Sequence, residues 1–379
     1  MKQILEGSRA IAETIKLCRP AVVSAYPITP QTHIVEDLAK MKAEGEADFE
    51  YVIAESEFSA ASVVLGASAT GSRVYTASSS QGLLLMTEVI FNIAGLELPV
   101  VLTCANRAVG APINIWNDQQ DVMTVRDSGW IQLFASDMQK AVDLHILAYR
   151  IAESAKLPVM VNVDGFYITH TISEVEIPDQ KLVDKFLKTQ GSTLGDSPRL
   201  NLGRAFLDVK NPKTFGYLAT PDVYHDIRIN LDKKIKKAKN GDIKKSITEF
   251  KNIFGRSIGV LETYKTKDAE TIFVTTGSLF GTTMEAVNNL RAKGKKVGVL
   301  HITLFRPFPE KEIFNALMKA KRIIVLNRAL SLGAEGILTT EIKSALYGAK
   351  NIKIQDEIVG LGGRDMRVEE VMGLVVGSK

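Results

Sequence analysis

Short, continuously apolar segments alternate with longer segments of helical periodicity along most of this chain, and this alternation constrains the fold more than any other feature. The segment Val100-Val101-Leu102 is apolar at every residue rather than at every second one, which is typical of a strand buried on both faces. Strands of this kind, separated by helices, form parallel sheets that helices cover on both sides. The predicted fold class is therefore α/β with a doubly wound parallel sheet.

Two series of alternating elements are predicted. In the first, strands are predicted over 21–26, 49–54, 73–77, 99–105 and 158–163, and helices over 7–16, 34–42, 59–69, 83–96 and 140–155. In the second, strands are predicted over 271–276, 297–303, 322–326 and 352–354, with a helix that ends at Leu290. Since a domain typically has about 100 to 200 residues, we expect domain I over 1–230, a helical linker over 231–264 and a smaller α/β domain II over 265–379.

The predicted linker includes a polar stretch, 230–252, with eight lysines. The pattern favours a solvated amphipathic helix that joins the two domains. A surface for an anion or a protein partner is the alternative.

Composition excludes several classes of protein. The 379 residues are 45% hydrophobic and 24% charged, which is typical of a folded globular protein. A net charge of only +4 argues against nucleic acid as a partner. The longest apolar runs, such as 83–86, fall far short of the roughly 20 residues that span a membrane, and we expect no membrane association. Two cysteines, Cys18 and Cys104, build neither a disulfide framework nor a four-thiolate cluster, and a cytoplasmic location fits best.

Ligands of open α/β sheets bind beyond the carboxyl ends of the strands, so the loops that follow strands are the candidate site. The first such loop, 26–32, displays Thr29 and Thr32 between two prolines; a rigid turn with a threonine N-cap is the alternative. The second contains Glu55 and Glu57 at the start of an almost uncharged helix. Its glutamates are either structural, at a helix N-terminus, or suited to proton exchange with a heterocyclic nitrogen.

The third and fourth loops contain small and cationic residues. Loop 76–82 has small polar residues that let a ligand approach the backbone closely. Arg107 directly follows an apolar strand, where its guanidinium suits a small carboxylate. The alternative for Arg107 is a structural salt bridge with Asp118 or Asp121.

Other catalytic and metal-binding motifs are missing from the sequence. It contains no HExxH, GxGxxG or P-loop pattern. The five histidines, at 33, 145, 170, 225 and 301, are scattered, so no metal site is predicted.

With these loops in order, the chain resembles the alpha subunits of the 2-oxoacid:ferredoxin oxidoreductases, most of all those of pyruvate:ferredoxin oxidoreductases. The matching elements are YPITP at 26–30, ESE at 55–57, SQGL at 80–83, NRA at 106–108, APINIWND at 111–118, RDSGW at 126–130, DGF at 164–166, RPFP at 306–309 and IVGLGGRD at 358–365. The resemblance implies a pyrimidine-type thiamine-diphosphate-binding domain followed by a domain of the transketolase C-terminal type.

The resemblance also implies an activity and a set of partners. In this family, a 2-oxoacid, coenzyme A and oxidised ferredoxin give acyl-CoA, carbon dioxide and reduced ferredoxin. Thiamine diphosphate would be shared with a beta subunit, which would hold Mg²⁺ and a 4Fe-4S cluster. Further clusters would lie on a delta subunit, and a gamma subunit would complete the assembly.

Carried over residue by residue, the resemblance assigns five site residues. Glu57 matches the glutamate that hydrogen-bonds N1′ of the aminopyrimidine, and Pro27 and Ile28 also fall to the cofactor. Arg107 and Thr29 match residues that hold the substrate. No metal ligand is assigned to this chain.

Substrate choice and the role of one loop stay open. Val109-Gly110 replaces the Leu-Ser common in pyruvate enzymes, and Gln31-Thr32 and 332–336 also occur in relatives that take branched 2-oxoacids, whereas 111–115 is more similar to the pyruvate type. A related 2-oxoacid as substrate, or a non-catalytic assembly subunit of the same fold, is the alternative. Residues 360–365 form either a plain turn or a subunit contact.

Overall fold

The structure, a computed structural model, describes residues 2–188, 212, 214 and 216–376. Its strands are β1 Lys2–Glu6, β2 Val22–Ala25, β3 Glu50–Ile53, β4 Val74–Ser78, β5 Val100–Asn106, β6 Ile131–Phe134, β7 Val159–Asp164, β8 Ile172–Glu176, β9 Leu261–Tyr264, β10 Thr271–Thr275, β11 Val297–Ile302, β12 Leu304–Arg306, β13 Arg322–Asn327 and β14 Lys353–Ile358. Its helices are α1 Gly7–Leu17, α2 Thr32–Ala43, α3 Glu57–Ala69, α4 Ser80–Leu85, α5 Thr87–Gly95, α6 Gln120–Thr124, α7 Met138–Ala155, α8 Gln180–Leu187, α9 Pro221–Ala238, α10 Lys244–Phe254, α11 Leu279–Ala292, α12 Glu310–Leu317, α13 Ile337–Ala345 and α14 Val368–Val376.

The first sheet has the strand order β12-β6-β7-β5-β4-β2-β3 and is parallel except for β12. Every residue of β4, β5 and β7 is buried, because alternate side chains of these strands enter cores on opposite faces. Helices α1, α2 and α7 pack on one face, together with Tyr75 and Val101, and α3 and α5 pack on the other, together with Val74 and Val100. The predicted doubly wound parallel sheet is confirmed.

The second sheet has the order β14-β13-β10-β11-β9, with β9 antiparallel to its neighbour β11 and the other pairs parallel. Strand β12 leaves this second unit and pairs antiparallel with β6, so that Leu304 lies opposite Leu133. The two sheets are therefore joined by main-chain hydrogen bonds as well as by packing.

The Lys-rich segment is helical from Pro221 to Phe254, with a π-helical turn at Lys239–Ile243 between α9 and α10. Leu231, Ile243 and Phe250 enter the core on the α7 side of the first sheet, while most lysines face solvent. The helix begins before the predicted linker, 231–264; the bounds of the two predicted domains, 1–230 and 265–379, stay a prediction.

Some local features differ from the sequence pattern. The helix predicted over 83–96 is two helices, α4 and α5, because the backbone at Met86 (φ −86°, ψ 6°) leaves helical geometry where that side chain is buried. Strand β6, for which no element is predicted, has only four residues, too few for a periodicity to be detected.

Candidate active site

Parallel pairing of the strands brings the four candidate loops to one edge of the first sheet. Ala25 lies opposite Ile53, and Ser78 lies opposite Cys104. The carboxyl ends of β2, β3, β4 and β5 therefore lie side by side. Loops that are up to 80 residues apart in sequence become neighbours there, as predicted for an open α/β sheet.

Glu57 is the first residue of α3, and its side chain is turned inward. The residue is only 6% exposed, and its carboxylate packs against Gly82, where a Cβ atom would overlap it. Ser56 supplies the N-cap, since its Oγ accepts a hydrogen bond of 3.2 Å from the backbone N–H of Ser59. The cap is thus made without Glu57, and no described residue hydrogen-bonds its carboxylate.

The neighbouring Glu55 differs from Glu57 both in its exposure and in its hydrogen bonding. Its side chain is exposed and accepts a hydrogen bond from the hydroxyl of Ser59, which lowers its pKa. The structure therefore separates two glutamates that are two positions apart. Glu55 lies in solvent at the helix N-terminus, whereas Glu57 presents a buried carboxylate to which the described part of the chain donates no hydrogen bond.

Arg107 joins two of the loops. Its Nη1 donates a hydrogen bond of 2.9 Å to the carbonyl of Thr29, and its Nε donates one of 3.1 Å to the carbonyl of Asn114. Burial lowers the pKa of the guanidinium, and only 6% of the residue is exposed. Within the described chain neither Asp118 nor Asp121 forms a salt bridge with the guanidinium. The alternative role of Arg107, a structural salt bridge with one of these aspartates, is therefore not observed.

Thr29 lies beside Arg107, with its side chain exposed at the mouth of the site. The following Pro30 is held close to the sheet, because a Cβ atom at Gly165 would lie 2.5 Å from both Pro30 Cγ and the carbonyl oxygen of Asn106. The residue before α2 is Gln31, which makes no side-chain cap, so the threonine N-cap alternative is not observed. Pro27 is exposed and Ile28 half-buried, and their assignment to the cofactor stays a prediction.

The structure reveals one site residue that sequence reasoning missed. Asp121 is fully buried, and its Oδ2 accepts hydrogen bonds of 3.0 Å from the backbone N–H groups of both Ser80 and Arg107. Asn106 donates to the other oxygen at 3.1 Å, and burial raises the pKa of the carboxyl to about 6. Asp121 therefore fixes two site loops to each other; in the sequence it was only a candidate salt-bridge partner of Arg107.

The second unit reaches the site through the glycine-rich segment 360–365. Asn114 donates a hydrogen bond to the carbonyl of Gly362, and the backbone N–H of Gly363 donates to the carbonyl of Asn117 at 2.6 Å. The segment therefore packs on the loop that contains Asn114, whose carbonyl accepts a hydrogen bond from Arg107. Both contacts are made within one chain.

No helix in the described ranges combines the length and the apolar character that crossing a membrane requires.

Two family descriptions match the chain. Residues 13–245 match "Pyruvate flavodoxin/ferredoxin oxidoreductase, thiamine diP-bdg", and residues 269–371 match "Pyruvate:ferredoxin oxidoreductase core domain II". Pyruvate synthase subunit PorA of Methanosarcina barkeri is 44% identical to the chain, covering 99% of it and 92% of the relative. PorA of Pyrococcus furiosus is 42% identical, with coverages of 98% and 92%. Ketoisovalerate oxidoreductase subunit VorA of Pyrococcus horikoshii is also 42% identical, with coverages of 100% and 94%.

Solved structures show the same fold. A 2-oxoglutarate:ferredoxin oxidoreductase from Magnetococcus marinus, determined with 2-oxoglutarate, coenzyme A and succinyl-CoA bound, superposes with a TM-score of 0.72 at 20% identity. The match covers 99% of the present chain and 64% of that one. A split-gene transketolase superposes with a TM-score of 0.57 at 13% identity over 98% of the chain.

Proposed function

The chain belongs to the pyruvate flavodoxin/ferredoxin oxidoreductase family, and on this premise we propose that it is the alpha subunit of a pyruvate:ferredoxin oxidoreductase. The enzyme converts pyruvate, coenzyme A and oxidised ferredoxin to acetyl-CoA, carbon dioxide and reduced ferredoxin, and it works as a complex of several subunits. The observation that carries the proposal is a buried glutamate, Glu57, whose carboxylate accepts no hydrogen bond from the described residues and which lies at the same sheet edge as a buried arginine, Arg107.

The site fits the pyrimidine half of thiamine diphosphate. The carboxylate of Glu57 is buried without a hydrogen bond from any described residue, and burying a carboxyl group is costly unless a partner satisfies it. A ring nitrogen of the cofactor would be that partner. When bound, thiamine diphosphate supplies the carbon nucleophile and the electron sink for decarboxylation.

Glu57 acts as the proton-exchanging group of this chain. An oxygen of its carboxyl group would hold or take the proton that is exchanged with the cofactor, and the side chain packs against Gly82. Glu57 lies at the N-terminus of α3, and its side chain is buried.

Arg107 and Thr29 bind the 2-oxoacid. Hydrogen bonds to the Thr29 and Asn114 carbonyls orient the guanidinium and leave its Nη2 without a described partner, available for a substrate carboxylate. A charge-assisted hydrogen bond of this kind contributes roughly 1.5 to 3 kcal/mol, which orients the acid but does not drive its decarboxylation. The exposed hydroxyl of Thr29 contacts a carboxylate or keto oxygen.

The remaining parts of the enzyme lie on other chains in this proposal. A beta subunit holds the diphosphate, Mg²⁺ and a 4Fe-4S cluster, a delta subunit holds further clusters, and a gamma subunit completes the complex. Two buried free cysteines in this chain are consistent with clusters located elsewhere. We propose a cytoplasmic location, where ferredoxin and coenzyme A are available.

A branched 2-oxoacid is the second candidate substrate. The similarity to VorA, 42%, is almost equal to that to PorA, 44%. One or two methylene groups in a pocket change selectivity by about 1 to 3 kcal/mol. A few side chains are therefore enough to determine whether pyruvate or a branched 2-oxoacid is preferred. Coenzyme A-dependent dye reduction by the assembled complex, with pyruvate and 2-oxoisovalerate compared, distinguishes the two substrates.

The replacement Glu57→Gln tests the mechanism, with Glu55→Gln as the matched control. Both changes remove a carboxylate from the same turn, but only Glu57 is buried in the site. We expect E57Q to assemble normally and to lose at least about 100-fold in kcat, because general acid-base catalysis contributes about 10² to 10⁴. E55Q should keep nearly full turnover.

Equal turnover of E57Q and the parent complex would remove Glu57 from the mechanism. A parent complex that assembles but shows no activity with any 2-oxoacid would favour the non-catalytic assembly subunit instead.

A further inference from the structure

A cluster of potential metal ligands is formed by residues that have no role assigned in the reaction. Glu6 ends β1, His33 is in the first turn of α2, and His170 follows β7. One carboxylate oxygen of Glu6 and one nitrogen of each histidine lie within 4.8 Å of one another. The sequence predicts no such site, because 27 and 137 positions separate the three residues.

Backbone hydrogen bonds hold Glu6 and His170 close to each other. Strand β1 pairs antiparallel with β8, so that Glu6 lies opposite Ile172. The N–H groups of Gly7 and Ser8 then donate to the carbonyls of Thr171 and Thr169, at 3.1 and 2.8 Å. His170 lies between these two anchors, so the chain on both of its sides is fixed relative to Glu6.

The third residue is positioned by contacts between helices. Arg9 of α1 forms an ion pair of 3.1 Å with Asp37, one turn after His33 in α2. The rings of His33 and His170 lie 4.7 Å apart between centroids, and Phe166 packs 4.6 Å from His170 on its own segment. These contacts bring the two imidazoles together before any ligand is present.

Hydrogen bonds orient both imidazoles in the same way. Nδ1 of His33 lies 2.7 Å from Oε1 of Glu6, and Nδ1 of His170 lies 2.7 Å from Oγ1 of Thr169. Both Nε2 atoms are left without a described hydrogen-bond partner. His170 thus has the arrangement typical of metal-ligating histidines, with one ring nitrogen on an oxygen that orients the ring and the other available for an ion. For His33, an ion bound to Glu6 would take the place of the proton between Nδ1 and Oε1 of Glu6, so these two atoms would be its ligands there.

We propose that Glu6, His33 and His170 form a binding site for a divalent transition metal ion of the zinc type. Two imidazoles and one carboxylate are a donor set that suits Zn²⁺, with water completing a four-coordinate shell. Ligand atoms around Zn²⁺ are about 3.3 Å apart for bonds of about 2.0 to 2.1 Å. Rotation of the half-exposed His33 and Glu6 side chains closes the remaining gap.

The bound ion would clasp three segments that are distant in sequence. His33 lies four residues after Thr29, and His170 lies five residues after Gly165, which packs against Pro30. The ion would therefore tie the start of α2, and with it the Thr29 loop, to the β1-β8 pair. Its role in this position is structural, because Glu6, His33 and His170 are separate from the residues assigned to the reaction.

Zinc uptake by the assembled complex tests the proposal independently of turnover. The complex is treated with a chelator, returned to Mg²⁺ buffer and equilibrated with Zn²⁺ by dialysis, and bound zinc is measured by elemental mass spectrometry. His33→Gln and His170→Gln remove one ligand each. His225→Gln is the matched control, since His225 is an exposed histidine on α9, outside the cluster.

We expect the parent and H225Q complexes to bind one more zinc ion per alpha chain than H33Q and H170Q at micromolar Zn²⁺. The affinity of this ion should fall by more than about tenfold in either variant. The zinc X-ray absorption difference between parent and H33Q should show nitrogen and oxygen ligands at about 2.0 to 2.2 Å and no sulfur.

Identical zinc uptake by the parent and both histidine variants would overturn the proposal. Uptake that appears only at millimolar Zn²⁺ would also overturn it. Glu6→Gln provides the same comparison if a histidine variant fails to assemble, because Glu6 is partly exposed at the end of β1.

Discussion

Glycine at position 82 leaves the space that the carboxylate of Glu57 occupies. Any side chain at 82 would overlap Glu57, whose position at the start of α3 is fixed by the Ser56 cap. The carboxylate of Asp121 accepts a hydrogen bond from the backbone N–H of Ser80, two residues before Gly82. At the scale of single residues, the site thus depends on one missing Cβ and one buried carboxylate as much as on the residues that meet the ligands.

The replacement Gly82→Ala should displace Glu57 without preventing assembly. A misplacement of about 1 Å in a catalytic group costs up to about 100-fold in rate, so we expect kcat to fall roughly 10- to 100-fold. Gly66→Ala, inside α3, is the control, because its added methyl group meets no atom within 4 Å. Steady-state kinetics of the two complexes makes the comparison, and equal rates would show that Glu57 tolerates the displacement.

The replacement Arg107→Lys keeps the charge but loses the planar guanidinium that reaches two carbonyls and a substrate. We expect kcat/KM for the 2-oxoacid to fall about 10- to 100-fold, mostly through KM. The KM for coenzyme A should change much less. If KM and kcat/KM for the 2-oxoacid both stay at the parent values, Arg107 does not bind the carboxylate.

The elements that support the site are joined by buried charges as well as by apolar packing. Arg73, directly before β4, pairs with Glu153 of α7, and their side chains are 2% and 8% exposed. Arg73 Nη1 also donates to the carbonyl of Cys18, at the end of α1. The guanidinium of Arg73 thus links α7 and the end of α1 to β4, the strand that leads into loop 76–82.

Removing one partner of this ion pair should destabilise the chain more than removing both. Arg73→Ala leaves Glu153 buried without its cation, and we expect the free energy of unfolding to fall by about 3 to 5 kcal/mol. The double variant Arg73→Met with Glu153→Leu should recover most of this loss, since apolar replacements of similar size are often neutral. Urea unfolding of the chain measures both; an equal loss in the double variant would contradict the argument.

At the scale of the whole molecule, a buried ion pair joins the two sheets. Arg328, after β13, lies with its Nη1 2.6 Å from Oδ2 of Asp164, at the end of β7. Ser278 donates to the same oxygen from its backbone and its hydroxyl, both at 2.7 Å, and Gln119 donates to the other at 3.0 Å. The carboxylate of Asp164, at the end of the first sheet, is therefore satisfied by polar groups from the segments of both sheets. This junction between the two sheets lies beside the loop 360–365.

Arg328→Met should loosen this junction. Asp164 loses its only described cation, and we expect a cost of about 3 to 5 kcal/mol together with faster amide hydrogen exchange in 361–363. Lys321→Ala is the control, because Lys321 pairs with Glu270 in solvent and such pairs contribute about 0 to 1 kcal/mol. Calorimetry and hydrogen exchange check both changes. Unchanged exchange in 361–363 would mean that the loop is held by its other contacts alone.

Much of this architecture could be predicted, since local patterns produce it. The apolar strand patterns marked β3, β4, β5 and β7, and the loops after β3 and β5 contained Glu57 and Arg107. The break of the 83–96 helix at Met86 was not predictable, because periodicity reports which face is buried and not whether the axis continues. Strand β12 was missed for another reason, since its residue Leu304 pairs with Leu133 of β6, 171 positions earlier in the chain.

The sequence by itself determined the fold class, the family and the order of the loops, because these depend on local composition and on motifs that the chain displays in a row. The tertiary structure alone decided which groups meet: Asp121 with Ser80 and Arg107, Asp164 with Arg328, and Glu6 with His33 and His170. Burial is a property of the assembled sheets, and it separates Glu57 from Glu55 although both are glutamates in one short segment. Contacts between distant segments leave no periodic trace in a single sequence, since each partner carries only half of the interaction.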